Sequence, residues 1–173
     1  MCRAVAGAYG CATFAAARRS RDVTPLSAGI LLYRFRPALE VLLVHPGGPF
    51  WRGRDDGAWM VPKGGVEDGE DPLAAALREF EEELGARPEG APQPLGRIKQ
   101  AGRKWVEAFA LEGDLDPESI VSVTFSLEYP PRSGKLRDFP EVDRAAWFTL
   151  AEAREKILPS QAPILDALEH MLG

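Results

Sequence analysis

The sequence predicts an α/β fold, a mixed β-sheet lying between helices on both faces, and three observations carry that prediction. Short apolar runs of strand length alternate with helical periodicities from Ser27 onward. A well-capped amphipathic helix stands between Asp71 and Gly85. No repeat or interdomain linker divides the 173 residues, a length that suits one domain with a real core.

The elements follow in order. Ile30-Leu31-Leu32-Tyr33 and Val41-Leu42-Leu43-Val44 are apolar runs separated by the turn-like Arg36-Pro37-Ala38, which predicts a hairpin. A loop dense in Gly, Pro and charge runs from Pro46 to Gly57. Trp59-Met60-Val61 is a third strand candidate, ending at Pro62-Lys63-Gly64-Gly65. Asp71 is a good N-cap, Pro72 is tolerated at the first helical position, and Gly85 suits the C-cap. Between them Leu73, Leu77, Phe80 and Leu84 recur at spacings of three and four, which predicts one buried stripe. Further strands are expected near Val106–Leu111, Val121–Leu127 and Ala145–Phe148. Thr149 should cap a helix from Leu150 to Ile157, and a last helix runs from Pro163 to Leu172.

Composition narrows the class. With 45% hydrophobic and 27% charged residues, the chain is neither disordered nor fibrous. A net charge of −5 does not favour a nucleic-acid backbone as partner, but it leaves a phosphorylated small molecule open, because a metal ion can supply local positive charge. Cys2 and Cys11 form no metal or disulfide framework, so a reducing cytoplasm is the default compartment. Residues 1–24 hold four arginines and one aspartate and are read as an extension, a disordered leader outside the domain formed by 25–173. A secretory signal ending near Ala15-Ala16-Ala17 or a transit peptide are the alternatives for it. No apolar run reaches the ~18–20 residues of a membrane span.

The chemistry concentrates in Gly64–Ala86. Glu79, Glu82 and Glu83 occupy i, i+3 and i+4 of the helix, so three carboxylates share one face, while Glu81 projects elsewhere. Like charges at that spacing destabilise a helix, and a divalent cation reverses the cost. Hard oxygen ligands suit Mg²⁺ or Mn²⁺. Arg78 can hold one carboxylate in a two-pronged pair, Gly64-Gly65 lets backbone approach an ion or phosphate, and Lys63 offers a point charge at the same mouth. A solvated helix face is the competing account of this Glu-rich stretch.

Gly64, Glu70, Arg78, Glu79, Phe80, Glu82, Glu83, Gly85 and Ala86 match, in register, the pattern G-x5-E-x7-R-E-U-x-E-E-x-G-U with U apolar. By this box the chain from Ser27 onward resembles the Nudix hydrolases. That resemblance implies the Nudix fold, an α/β/α sandwich, and binding of the catalytic divalent ions by Glu79, Glu82 and Glu83. It further implies a ligand carbonyl from Gly64, orientation of Glu79 by Arg78, and a supporting role for Glu70. The implied reaction is attack of water at phosphorus, with metal ions neutralising the phosphates and a carboxylate taking the proton. Glu79 is one candidate base. Glu141, before the Trp-containing strand, resembles a second acidic residue of some members.

The stretches LLVHPGGPFW, DDGAWMVPKGG and FPEVDRAAWFTLAEA resemble bacterial Nudix proteins related to the diadenosine tetraphosphate hydrolases. A diadenosine polyphosphate is therefore the leading substrate. Nucleoside triphosphates, ADP-ribose, nucleotide sugars and inositol pyrophosphates stand behind it. Arg103 and Ala101 occupy places where two family groups carry a diagnostic Tyr or Pro. Trp105, Trp51 and Phe50 are candidates to stack an adenine, and Lys104 and Arg103 to meet a polyphosphate, although burial and ordinary exposure account for such residues as well. His45 reads as a structural side chain with no carboxylate partner evident, and His170 as a surface residue. Three rivals are disfavoured. A ligand sensor would have lost box glutamates, an isopentenyl diphosphate isomerase needs a cysteine in the domain, and RNA decapping calls for a basic patch.

Overall fold

β1 (Leu26–Phe35) and β2 (Leu39–Pro46) form the expected hairpin around Arg36-Pro37-Ala38, with Tyr33 opposite Val41. The computed structural model describes residues 25–100 and 104–173. The leader at 1–24, both cysteines, Ala101 and Arg103 lie outside the described residues.

β1 is the hub of the sheet. On one edge its end pairs with β2 while its start pairs with β3 (Lys63–Gly65), placing Ala28 opposite Gly64. On the other edge it runs parallel to β5 (Lys104–Glu112), from Leu26↔Trp105 to Tyr33↔Glu112. β4 (Gln93–Gln100) lies outside β5, and β8 (Val142–Thr149) outside β2, giving the order β4-β5-β1-β2-β8 with β3 beside β1. A separate hairpin, β6 (Thr124–Glu128) with β7 (Leu136–Pro140), stands off this sheet.

Both faces of the sheet are covered, as the continuous apolar runs of β1 and β2 require. Strand alternation sends Leu31, Leu43, Ala108 and Ala110 to one face, where α2 (Leu150–Lys156) and α3 (Ala162–Leu172) contribute Ala153, Ile164, Leu165 and Leu168. Ile30, Leu32, Leu42, Phe109 and Leu111 face the other way, onto Ala75, Ala76, Phe80 and Leu84 of α1 (Pro72–Leu84). The mixed sheet between helices is thus the α/β/α sandwich expected.

Several local expectations are corrected. Trp59-Met60-Val61 is not a strand. It makes only isolated bridges to Val44 and Ile157, because Met60 bonds Val44, Trp59 bonds Lys156 and Leu158, and the Val61 amide goes to the Gln161 side chain. The ladder forms at Lys63–Gly65 instead. β4 and β7 have no counterpart in the apolar pattern, and the strand expected over Val121–Leu127 is found at Thr124–Glu128. On α1 the buried stripe keeps Phe80 and Leu84, but Leu73 and Leu77 are only partly covered, while Ala75, Ala76, Glu79 and Glu83 are buried.

Candidate active site

α1 is held at both ends as its sequence demands. The Asp71 side chain accepts the Ala74 amide at 3.1 Å, and Gly85 closes the helix at φ 73°, a left-handed conformation that favours glycine. This fixes the phase of the helix against β3. Glu79 and Glu83 then face the sheet at 9% and 8% exposure, and Glu82 stands at the rim.

The closest approach is between Gly64 and Glu79. A Cβ built on Gly64 would lie 1.8 Å from a Glu79 carboxylate oxygen, so any side chain there would force that carboxylate to move. Arg78 ties the loop before the helix to the helix itself. Its Nε and one terminal nitrogen donate to the two Glu70 oxygens at 3.0 Å each, and the same nitrogen donates to the Gly65 carbonyl at 2.9 Å. The other nitrogen donates to Glu79 Oε1 at 2.7 Å and lies 3.5 Å from Glu82. The two-pronged partner of Arg78 is therefore Glu70, and Glu79 receives a single strong bond. That pairing, with the Glu67 amide, lowers the Glu70 pKa to about 2.

Glu83 is the electrostatic outlier. Its Oε2 accepts the Lys63 amide at 3.2 Å, yet burial pushes its carboxyl up to about 8. The charge of Lys63 opposes this rise, and Glu79 and Glu141 add to it. Glu141 itself is raised, first by desolvation and then by Glu79 and Glu82. So Glu141, distant in sequence, belongs to the same cluster of negative charge. Its backbone explains the placement. The Glu141 amide donates to Val123 and the Val123 amide to Glu82, which moors the segment on the end of α1.

Among the described residues no three His, Cys, Asp or Glu side chains converge as a ready metal cage, and Arg78 bonds Glu79. The donor set still fits a hard divalent cation. It offers buried carboxylate oxygens, a close backbone at Gly64 and, in Glu83, a carboxyl whose ionisation needs a nearby positive charge.

The remaining candidates divide by strand register. Trp105 is half-buried on the α1 face, level with Leu26 and Lys99, while Lys104 precedes it and turns to the opposite face. Lys63 sits at the mouth through its contact with Glu83. Phe50 is exposed and Trp51 half-buried in the 46–57 loop, where Arg54 lies over the Trp51 ring.

His45 is a structural side chain, as expected, but it has a partner that the sequence did not show. It is fully buried, with Nδ1 2.8 Å from Asp143 Oδ1 and Nε2 2.9 Å from the Arg54 carbonyl, so a carboxylate partner exists. Ninety-eight residues of separation hid it. His170 is exposed, as expected.

Similarity to known proteins bears on the family and the fold. The family profile described as NUDIX domain matches residues 23–168. An RNA pyrophosphohydrolase of Brucella anthropi is 29% identical over an alignment covering 80% of this chain and 92% of that protein. One of Roseobacter denitrificans is 31% identical, covering 78% and 92%. Among solved structures, an Ap4A hydrolase of C. elegans in a binary complex shares the fold at a TM-score of 0.61 and 22% identity, over 84% of this chain and 97% of that one. The NUDIX domain of Shewanella oneidensis NrtR, complexed with ADP ribose, gives 0.61 at 16% identity, over 88% and 90%. The profile match spans most of the sequence, and the chain belongs to the Nudix hydrolase family.

Proposed function

We propose that this protein is a Mg²⁺-dependent pyrophosphohydrolase that breaks a phosphoanhydride bond of a nucleoside-diphosphate-linked substrate by attack of water. The observation that carries the proposal is Glu79, wedged between Arg78 and the Cβ-less Gly64 beside the buried Glu83. Glu79, Glu82, Glu83 and the Gly64 carbonyl would hold the ion. When bound, Mg²⁺ or Mn²⁺ supplies charge neutralisation at the phosphates and a more acidic water.

The chain's own residues do the rest. Arg78 keeps Glu79 and the Gly65 loop in one orientation. Lys63 offers a positive charge to a phosphate, and Trp105 offers a ring face to a base. Since Glu79 is engaged by Arg78, Glu141 is the better proton acceptor. Burial and the charges of Glu79 and Glu82 raise its affinity for a proton, which favours it as the acceptor.

The sequence resemblance favours diadenosine tetraphosphate as substrate. A second reading, the 5′-polyphosphate end of RNA, is favoured by the name of relatives that are about 30% identical over most of this chain. The test is product release with Mg²⁺ from diadenosine tetraphosphate, a 5′-triphosphorylated oligoribonucleotide, ADP-ribose and dNTPs, in wild type and Glu82→Gln. Cleavage of the dinucleotide to ATP and AMP, lost in the variant, supports the leading substrate. Cleavage of the RNA end instead supports the second, and no cleavage of any member sinks the hydrolase proposal.

A further inference from the structure

The β6–β7 hairpin is absent from both core clusters, and nothing in the chemistry above uses it. Its feet stand at the site. Val123 precedes β6 and donates its amide to the Glu82 carbonyl, and Glu141 follows β7 and holds the Gly47 amide through its own carbonyl.

Its two faces differ in chemistry. The register pairs Phe125 with Phe139 and Leu127 with Arg137, and the Tyr129 amide bonds Lys135, so these residues share a face. Phe139 lies 6.2 Å from Phe125 and 6.0 Å from Tyr129 between ring centroids. Ser126 pairs with Asp138 and Glu128 with Leu136, which puts both acidic residues of the strands on the opposite face. Asp138 accepts the Ser126 hydroxyl, and Glu128 accepts the Gly134 amide. Lys135 and Arg137 are exposed, and among the described residues no carboxylate pairs with either. One face of the hairpin thus carries three half-buried aromatic rings, with Phe125 beside Gly48 of the 46–57 loop, and two exposed, unpaired cations with no acidic residue of either strand among them.

Distance along the strand sets the scale. At about 3.4 Å per residue, Phe139 lies about 7 Å from Glu141, Arg137 about 14 Å and Lys135 about 20 Å. Rings that accept any base and cations that track a backbone are what a single strand needs. The face begins at the carboxylates where a 5′-phosphoanhydride would sit and leads away from them.

We propose that the face of the β6–β7 hairpin bearing Phe125, Tyr129, Phe139, Arg137 and Lys135 binds the single-stranded RNA chain that follows a 5′-polyphosphate seated at Glu79–Glu83. This rests on the RNA reading of the preceding section. It also bears on the expectation of no nucleic-acid partner, which came from the acidic net charge and the lack of a basic patch in the sequence. The charge is −5 overall, but it is sorted by face on this hairpin.

The test combines binding with kinetics. A 3′-labelled, 5′-triphosphorylated oligoribonucleotide is titrated onto Glu82→Gln protein, with and without Lys135→Gln and Arg137→Gln together. About a tenfold loss of affinity is expected, and a plot of log K against log salt flatter by about 1.4 for two lost phosphate contacts. In active protein the same pair should raise KM for the oligonucleotide about tenfold more than KM for whichever small nucleotide among diadenosine tetraphosphate, ADP-ribose and dNTPs is cleaved. Unchanged oligonucleotide affinity, or equal effects on both substrates, overturns the proposal. If wild type cleaves nothing, the hydrolase reading fails, while the titration still decides the hairpin's role.

Discussion

The carboxylate of Glu79 occupies the space that any side chain on residue 64 would need, with 1.8 Å between its oxygen and a Cβ at that position. Arg78 prevents the carboxylate from swinging aside. Gly64→Ala should therefore lower kcat by about 10–100-fold, the range seen when groups supporting a metal site are displaced. Far-ultraviolet circular dichroism should be unaltered, since Gly64 lies in a three-residue strand at the sheet's margin. Wild-type turnover by Gly64→Ala would show that the Glu79 placement is not needed.

Arg78→Lys tests the brace. Lysine cannot reach both Glu70 oxygens, Glu79 and the Gly65 carbonyl at once. Activity should drop by about 10–100-fold and the Mg²⁺ concentration for half-maximal rate should rise. A variant with normal metal dependence would mean that Arg78 serves stability alone.

Acid sensitivity should trace to Glu70. Its folded pKa, about 2, lies below the ordinary carboxylate value of 4.5, so its contribution is complete above pH 4.5 and lost as pH falls towards 2. Glu70→Gln should lower the melting temperature at pH 6 and flatten its decline between pH 4.5 and 2. Parallel curves for the two proteins would contradict this.

Glu83 has the opposite sign. Its pKa is raised to about 8, so the metal-free protein loses stability as pH rises from 4.5 through 8. Glu83→Gln should melt higher than metal-free wild type at pH 9 while losing activity. Mg²⁺ binding at pH 7 should release a proton, measured by calorimetry in buffers of different ionisation enthalpy. Glu83→Gln should release none, and equal release from both proteins would exclude Glu83 as the source.

Asp143→Ala leaves the buried His45 without its side-chain partner. The expected cost is about 1–3 kcal/mol, read as a fall of several degrees in melting temperature. The 46–57 loop should also become easier to cleave by protease, because His45 anchors it through the Arg54 carbonyl. An unaltered melting temperature would count against the pair as a stabilising contact.

What the sequence disclosed was mostly local. Asp71, Pro72 and Gly85 mark α1 because capping depends on neighbouring residues, and Thr149 marks α2 through a complete capping box with Glu152. The Nudix box was legible because its residues lie within one short stretch and match the family pattern in register, although Gly64 and Glu70 precede α1. β4 was not, since this edge strand is largely exposed and Arg97 and Lys99 interrupt its apolar pattern. Trp59-Met60-Val61 misled because an apolar run shows that a segment is buried but not that its backbone meets a single neighbour, and here the bonds go to Val44, Lys156, Leu158 and Gln161. Glu141 could be named from resemblance, but its place among the box carboxylates depends on backbone bonds from Val123 to Glu82, which no local pattern encodes.

The parallel pairing of β1 with β5 joins Leu26 to Trp105, residues 79 positions apart. A growing chain therefore completes the glutamate helix well before the strand that finishes its platform. Until Phe109 and Leu111 emerge, the apolar side of α1 at Phe80 and Leu84 lacks part of its final cover. Synthesis arrested before about residue 112 would leave a sticky, acidic helix with no enzyme around it, and nascent chains of that length are where a chaperone should be needed most.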